Sequence, residues 1–272
     1  MHRRKMLYAW SIVLTLNLAA LNVEAAFEFQ GIGWPAAGAN IRIIGDDHPQ
    51  RYLVNPSLMG VESPGHLTIQ FQQPFRGLGL EAGALAYTYG IGQDIPCIVG
   101  VEYFGDEIYS ELSISNGASR LFGQALQPGV SLNYLQVQIL DFATRRALTL
   151  SPSFTINLGE SFRLGSVLQH LIQSGSRLTI PQKFLLGSEF SADKVTLLLA
   201  LEKEAALNLE VCAAMLFCPS SNWQLAMGYR SLSQSASAGW RLKKMRYGLN
   251  YSVVFYPDLP PSHGFGVEFF LL

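Results

Sequence analysis

Polar and apolar residues alternate along most of the chain from His66 onward. The alternation is unbroken in His66–Gln72 and Leu148–Leu158, and it recurs in Asn222–Arg230 and Arg246–Phe255. Successive side chains of a strand point to opposite faces, so a period of two predicts β-strands with one polar and one apolar face.

Turn-forming residues separate these runs at intervals that suit hairpins. They are Asn116-Gly117, Gly159-Glu160, Ser174-Gly175, Ala192-Asp193, Pro219-Ser220 and Pro257–Pro261. Weaker strands are predicted near 81–91, 96–113, 181–190, 195–203, 206–217 and 232–243. The total is about 12 to 14 strands, within the size range of membrane barrels. Within Val130–Ile139 the alternation changes phase at Leu135, which predicts a β-bulge.

The residue types on the polar face favour a transmembrane barrel over a soluble sandwich or a lipocalin-like barrel, which would show the same alternation. The polar positions carry mainly Gln, Ser, Thr, Asn and Gly. Such side chains suit a narrow lumen, whereas a soluble sheet turns Lys, Glu and Arg to water. Aromatic residues near strand ends resemble the girdles of membrane barrels. These residues are Tyr87, Tyr89, Trp223, Tyr229, Trp240, Tyr247 and Tyr256.

Composition agrees with a membrane barrel. Charged residues make up 14% of the chain, against about 25% in typical soluble domains. The net charge of −1 and the lack of a basic stripe argue against a nucleic-acid partner. Beyond the N-terminus no apolar run approaches about 20 residues, so any crossing of a membrane requires a closed barrel.

The N-terminus is typical of a secretory signal. Basic residues at His2–Lys5 precede an apolar stretch, Met6–Leu21, and Val23 and Ala25 supply small residues before a cleavage point at Ala26. Residues 1–25 are therefore predicted to be a cleaved signal peptide. Residues 26–60 contain only one short apolar stretch, Ile41–Ile44, and are predicted to be a plug or a periplasmic segment. Residues 61–272 are predicted to form the outer-membrane barrel.

Several short motifs resemble those of a known barrel family. Gly45-Asp46-Asp47-His48 followed by Asn55-Pro56-Ser57-Leu58 is similar to the N-terminal region of the PorV/PorQ-like outer-membrane barrels, within the FadL-like superfamily. Ile98–Asp106 and Pro181–Gly187 resemble later strands of that family. The alternating C-terminus, Gly264–Leu272, resembles the assembly signal of outer-membrane barrels, with Leu in place of the usual final aromatic residue. The resemblance implies a barrel, some members serving type IX secretion, whereas FadL moves hydrophobic molecules.

Candidate chemistry is sparse. The chain has no G-x-S-x-G, H-E-x-x-H or P-loop motif, so we expect no enzyme, catalytic residue, cofactor or metal site. The cluster Gly45–Pro49 has too few ligands for a hard cation and is interpreted as a turn. Glu202–Glu204 is interpreted as a solvated hairpin loop. Isolated histidines are expected in the lumen or loops: His66, His170 and His263. The cysteines are interpreted as small apolar residues, with pairing of the last two left open: Cys97, Cys212 and Cys218.

Arginines on the polar phases of strands are expected to line the lumen opposite glutamates. The arginines are Arg163, Arg230, Arg241 and Arg246, and the glutamates are Glu102, Glu189 and Glu268. Such rows serve either as electrostatic packing or as an ion-selective path.

The sequence supports two functional hypotheses for a protein embedded in outer-membrane lipid. The main one is a non-enzymatic accessory component of a type IX-like secretion or surface-attachment assembly, with secretion-system proteins as partners. The alternative is a FadL-like passage for small hydrophobic molecules across the outer membrane.

Overall fold

A computed structural model describes residues 31–60, 65–92, 94–123, 125–142, 144–175, 180–205 and 207–271. The predicted signal peptide, residues 1–25, lies outside the described residues. Among the described residues the first elements are two short helices, α1 (Trp34–Ala37) and α2 (Pro49–Val54), followed by a 3₁₀ turn at Pro56–Leu58. No helix among the described residues is long and apolar enough to span a membrane.

In the described part of the chain fifteen strands follow the helices. They are β1 (His66–Gln73), β2 (Glu81–Ile91), β3 (Ile95–Gly105), β4 (Tyr109–Ser119), β5 (Leu126–Ile139), β6 (Arg145–Asn157), β7 (Phe162–Gln169), β8 (Ile172–Ser174), β9 (Lys183–Ala192), β10 (Val195–Glu204), β11 (Glu210–Ser220), β12 (Trp223–Arg230), β13 (Ser235–Lys244), β14 (Tyr247–Phe255) and β15 (Ser262–Phe270).

The strands form a closed antiparallel barrel of 14 strands, and β8 lies outside the ring, paired with β6. Each strand of the ring pairs with its sequence neighbour, except that β7 pairs with β9 across β8. Pairing of β1 with β15, in the register His66 opposite Phe270, closes the ring and leaves no free edge. The predicted fold class and strand number are confirmed.

Alternation places polar side chains inside the barrel and apolar ones outside. On β1, Thr68 and Gln70 are buried, whereas Ile69 and Phe71 are 46% and 52% exposed on the outer face. On β6 the serines and threonines are buried while Leu148 is exposed. The exposed apolar band is the surface that a membrane barrel presents to lipid.

Several local predictions are wrong. Pro219 and Ser220 end β11, so the turn falls at residues 221–222, and the strand expected near 96–113 is divided between β3 and β4. Asn116 and Gly117 lie within β4 rather than in a turn. The register of β5 runs without a shift past Leu135, so there is no β-bulge there. Leu135 and Val137 are instead buried on the lumen side, in a cluster with Ala147 and Ile180. The lumen face of β5 becomes apolar at Leu135 and Val137, and in the sequence this looks like a change in the phase of the alternation.

Residues 31–60, here called the inner segment, pack inside the ring. Trp34, Ile41 and Met59 have no exposed surface. Hydrogen bonds tie the segment to the wall, for example from Ala39 N to Ser237 Oγ (3.1 Å) and from Gly33 N to Gln72 Oε1 (3.0 Å). The division of the chain at residues 25 and 60 stays a prediction, because its first boundary lies outside the described residues.

Glycines on the inward face let the inner segment approach the wall. A Cβ added to Gly187 would lie 2.8 Å from Ile43 Cγ1, and one added to Gly129 would lie 2.7 Å from the backbone N of Ser57. Other inward glycines meet the inner segment in the same way: Gly100, Gly117, Gly165, Gly228 and Gly239. The wall therefore carries its smallest residues where the segment is closest.

Candidate functional site

The barrel has two mouths. The near mouth holds the start of β1 and the end of β15, together with the turns at 193–194, 221–222 and 245–246. The far mouth holds the connections at 74–80, 205–209 and 256–261. The inner segment lies between them and divides the lumen.

A buried ionic cluster joins the inner segment to the wall near the near mouth. Arg241 donates from Nη1 to Asp46 Oδ2 (2.6 Å) and from Nε to Glu268 Oε1 (2.7 Å). Arg51 donates from Nε to the other oxygen of Asp46 at 2.9 Å, and Trp34 Nε1 donates to Asp46 Oδ2 at 2.9 Å. The interpretation of Gly45–Pro49 as a plain turn misses this role, because Arg241 lies 195 residues from Asp46 along the chain.

Electrostatics fix the protonation of the inner-segment groups in this cluster. Burial opposes ionisation of Asp46, but Arg51, Arg241 and Lys243 outweigh it, so its pKa lies well below the ordinary value. Burial also holds the pKa of His48 well below its ordinary value, despite the attraction of Glu268. At neutral pH Asp46 is therefore charged and His48 is neutral.

Wall arginines each pair with a wall glutamate and also contact the inner segment. Arg163 donates to Glu189 (2.7 Å) and to the Gly45 carbonyl (2.8 Å). Arg230 donates to Glu202 at 2.7 Å and to the Ala39 carbonyl at 3.1 Å.

Two of the expected lumen pairs are present, Arg163 with Glu189 and Arg241 with Glu268, whereas Arg230 pairs with Glu202 and Glu210. Glu102 faces an arginine of the inner segment, Arg42, at 2.8 Å. Arg246 lies in the turn between β13 and β14 and is exposed, so its predicted place in the lumen is wrong. Since these wall arginines and glutamates are paired with one another or with the inner segment, we interpret them as ion pairs that hold the wall and the inner segment together.

A cavity of about 640 Å³ occupies the far mouth above the inner segment. Its apolar lining comes from both the wall and the inner segment: Ile43, Val54, Phe104, Leu185, Leu232 and Val254. Most of its charged lining is ion-paired, through Lys183 with Glu204 (3.0 Å), Arg230 with Glu202 and Glu210, and Arg42 with Glu102, while Lys203 and Glu111 also line it. The interpretation of Glu202–Glu204 as a solvated loop is wrong, because these residues end β10 and line the cavity, with Glu204 buried.

A smaller side pocket of about 50 Å³ adjoins this cavity and shares Arg42, Val54, Phe104, Glu111 and Gln169 with it. Its wall is rich in hydroxyl and amide groups from β4, β5 and β6. They include Ser113, Ser115, Ser131, Asn133 and Ser151.

The predicted histidine positions are partly right. His66 lies in the lumen, with Nε2 at 2.9 Å from Glu268 Oε2. His170 follows β7 and lines the side pocket. His263 differs from the prediction, because it lies on the outer face of β15, with Nδ1 at 2.7 Å from the Tyr251 hydroxyl.

Cys97, Cys212 and Cys218 are free, and the last two share strand β11, so they do not pair. The donor atoms of Glu202, Glu210 and Cys212 lie within 4.8 Å of one another. Arg230 donates to both carboxylates and already supplies a cation there. The group is therefore an ion-paired cluster.

Solved structures of outer-membrane channels share this fold. A structure described as "CymD monoaromatic hydrocarbon channel" has a TM-score of 0.67 at 12% identity and covers 90% of this chain and 99% of its own. The toluene transporter TodX of Pseudomonas putida has a TM-score of 0.60 at 9% identity, covering 88% and 98%. Omp33 of Acinetobacter baumannii, an outer membrane protein, has a TM-score of 0.52 at 9% identity, covering 76% and 97%.

No family model and no curated protein matches the chain. The structural likeness is at low sequence identity and establishes the barrel fold. The resemblance to PorV/PorQ-like barrels stays a prediction.

Proposed function

We propose that the protein is a non-enzymatic outer-membrane channel that admits small apolar molecules through its far mouth. The cavity of about 640 Å³ carries this proposal, since ligand sites usually measure about 300–1,000 Å³ and combine an apolar lining with a few placed polar groups. Outer-membrane barrels keep their short turns on the periplasmic side. The far mouth then faces outward, where a ligand would enter.

The pairing of charges in the cavity supports apolar cargo. Lys183 pairs with Glu204, and Arg230 pairs with Glu202 and Glu210. With Arg42, Lys203 and Glu111 the lining holds four basic and four acidic residues, so its formal charges cancel and favour neither sign of ion. The apolar side chains between these pairs remain to contact a ligand. Two structural neighbours are described as a hydrocarbon channel and a toluene transporter, which adds an analogy of fold.

Adjacent valines on β14 offer a matched test. Val254 is buried and lines the cavity, whereas Val253 belongs to the outer face. We expect Val254→Trp to fill part of the cavity and to slow uptake of radiolabelled toluene by cells of a Gram-negative host that express the protein. Val253→Trp, which adds the same group toward lipid, should leave uptake unchanged.

Equal uptake by the two variants would contradict a passage through this cavity. The accessory-component hypothesis has no supporting observation among the described residues or the structural neighbours. It would gain if expression did not speed uptake and purification from native membranes recovered secretion-system proteins with the barrel.

A further inference from the structure

The side pocket is large enough for one polar substituent and too small for a ring. Its volume is about 50 Å³, and a single water molecule needs roughly 10–15 Å³. It opens beside the apolar part of the main cavity, where Val54 and Phe104 belong to both spaces. A ligand held against these apolar side chains can therefore place one substituent in the side pocket.

His170 is held rigidly at this pocket. Its backbone N–H donates to Ser151 Oγ at 2.9 Å, and its Nδ1 lies 2.8 Å from Thr149 Oγ1. The residue has a φ of +57° and is 5% exposed. Burial lowers the pKa of His170 to about 3, so the ring is neutral at pH 7. The other ring nitrogen, Nε2, has no hydrogen-bond partner among the described residues.

The neighbouring hydroxyl favours one tautomer of the ring. Thr149 Oγ1 already accepts a hydrogen bond from Asn133 Nδ2 at 3.4 Å. Its own proton is satisfied if it donates to Nδ1 of His170, and that arrangement leaves the ring proton on Nε2. His170 then presents an N–H donor that is buried and unused.

Gln169 supplies the complementary group. Its side chain is 7% exposed, lines both cavities, and has an Oε1 without a partner in the described part of the chain. A buried polar atom without a partner is destabilising, so two such atoms at one pocket call for a ligand or ordered water. One atom donates and the other accepts.

We infer that the side pocket is a hydroxyl-binding subsite, and that the ligands of this protein are small apolar molecules that carry one hydroxyl group. This inference rests on the proposed channel function. A hydroxyl both accepts and donates, as Nε2–H of His170 and Oε1 of Gln169 require. A carboxylate would face the acceptor Gln169 and two lining carboxylates, Glu102 and Glu111, while the lining Arg42 is already ion-paired with Glu102 (2.8 Å). An ammonium group would face the donor of His170.

The test compares two fluorinated probes of matched shape, 4-fluorophenol and 4-fluorotoluene. Their dissociation constants are measured by ligand-observed ¹⁹F NMR with the purified barrel in detergent. The variants His170→Phe and Gln169→Met each remove one hydrogen-bonding group at similar volume. His263→Phe, on the outer face, is the control, and all variants share the same micelles.

We expect the wild-type protein to prefer the phenol, and each pocket variant to reduce that preference about threefold to tenfold, the worth of one net hydrogen bond. His263→Phe should leave it unchanged. If His170→Phe fails to fold, Gln169→Met decides alone. Equal binding of both probes by all forms would show that the pocket holds water only and overturn this inference while the channel remains. If neither probe binds, the channel proposal fails with it.

Discussion

Replacing Arg241 with Met should loosen the inner segment while leaving the barrel intact. The guanidinium is fully buried and links two carboxylates, Asp46 on the inner segment and Glu268 on β15. Met has a similar length but no charge, so both carboxylates lose a partner. The barrel ring itself is closed by backbone hydrogen bonds that this substitution does not touch.

The magnitude follows from the partners that remain. Breaking a buried ion pair by removing one member costs about 3–5 kcal/mol. Glu268 keeps His66 at 2.9 Å and Asn250 at 3.1 Å, while Asp46 keeps Arg51. The cost should therefore lie near the lower end, about 3 kcal/mol, which changes the equilibrium for docking of the segment about a hundredfold.

Acrylamide quenching of Trp34 measures this docking, because its indole is fully buried in the inner segment and donates to Asp46. The experiment uses protein without residues 1–25, which contain Trp10, and the outward Trp223 and Trp240 are first replaced by Phe to isolate the signal. Arg241→Met should raise the quenching of Trp34 fluorescence by acrylamide and increase the frequency of channel openings in planar bilayers. The variant should still show the heat-dependent shift in gel migration that is typical of a folded barrel.

Two further variants test whether the effect of Arg241→Met comes from the lost charge. Arg246→Met, at an exposed turn, should change neither quenching nor conductance. Adding Glu268→Gln to Arg241→Met removes one of the two carboxylate charges that lost their partner, and it should recover part of the free energy of docking. If Arg241→Met behaves like the wild-type protein, or if the double variant is as unstable as the single one, the cluster does not hold the segment electrostatically.

Three further outcomes are expected. Leu225→Arg should impair membrane insertion by about 2–4 kcal/mol near the bilayer midplane, while Gln224→Arg on the inward face is milder; equal insertion yields would argue against lipid contact at Leu225. Gly187→Val should cost about 1–3 kcal/mol in urea unfolding by overpacking the inner segment, whereas Gly83→Val, on the outer face, should cost little. The pKa of Asp46 is lowered by folding, so its stabilisation is complete well above the unfolded value of 3.8 and is progressively lost as pH falls below it; Asp46→Asn should flatten that dependence in urea titrations between pH 5 and 3.

The strands of the barrel wall could be predicted from sequence because each depends on a local alternation of polar and apolar residues. Alternation in His66–Gln72 and Leu148–Leu158 fixes which side chains face lipid, and a one-residue slip would turn all of them over. The pairing of Arg163 with Glu189 could also be anticipated, since both lie on polar phases of strands that pair in the barrel. The pairing of Arg230 with Glu202 is missed, because Glu202 is interpreted as a loop residue.

The inner surfaces could not be predicted in the same way. Gly117 looks like a turn residue in sequence, but it is a wall position that Pro56 approaches closely. Leu135 looks like a change of phase, but it is an apolar residue that faces the lumen beside Ile180. In both cases the cause is a contact with a distant part of the chain, and the residue type alone does not distinguish it from its more common local use.

The contacts of the wall arginines with the inner segment explain why Arg241 should contribute most to the free energy of docking that segment. Arg163 and Arg230 pair with wall glutamates and reach the inner segment only through neutral backbone carbonyls, those of Gly45 and Ala39. Releasing the segment there leaves each wall ion pair intact and forfeits a hydrogen bond of about 1.5–3 kcal/mol to a charged group, which water can largely replace. At Arg241 the partner on the inner segment is itself a charge, Asp46, so release separates an ion pair. Release also separates Arg42 of the inner segment from Glu102 of the wall, but the Glu102 side chain is 20% exposed and water can solvate it, whereas the Arg241 side chain is fully buried. The electrostatic free energy that holds the segment in place is therefore largest at the Arg241 cluster.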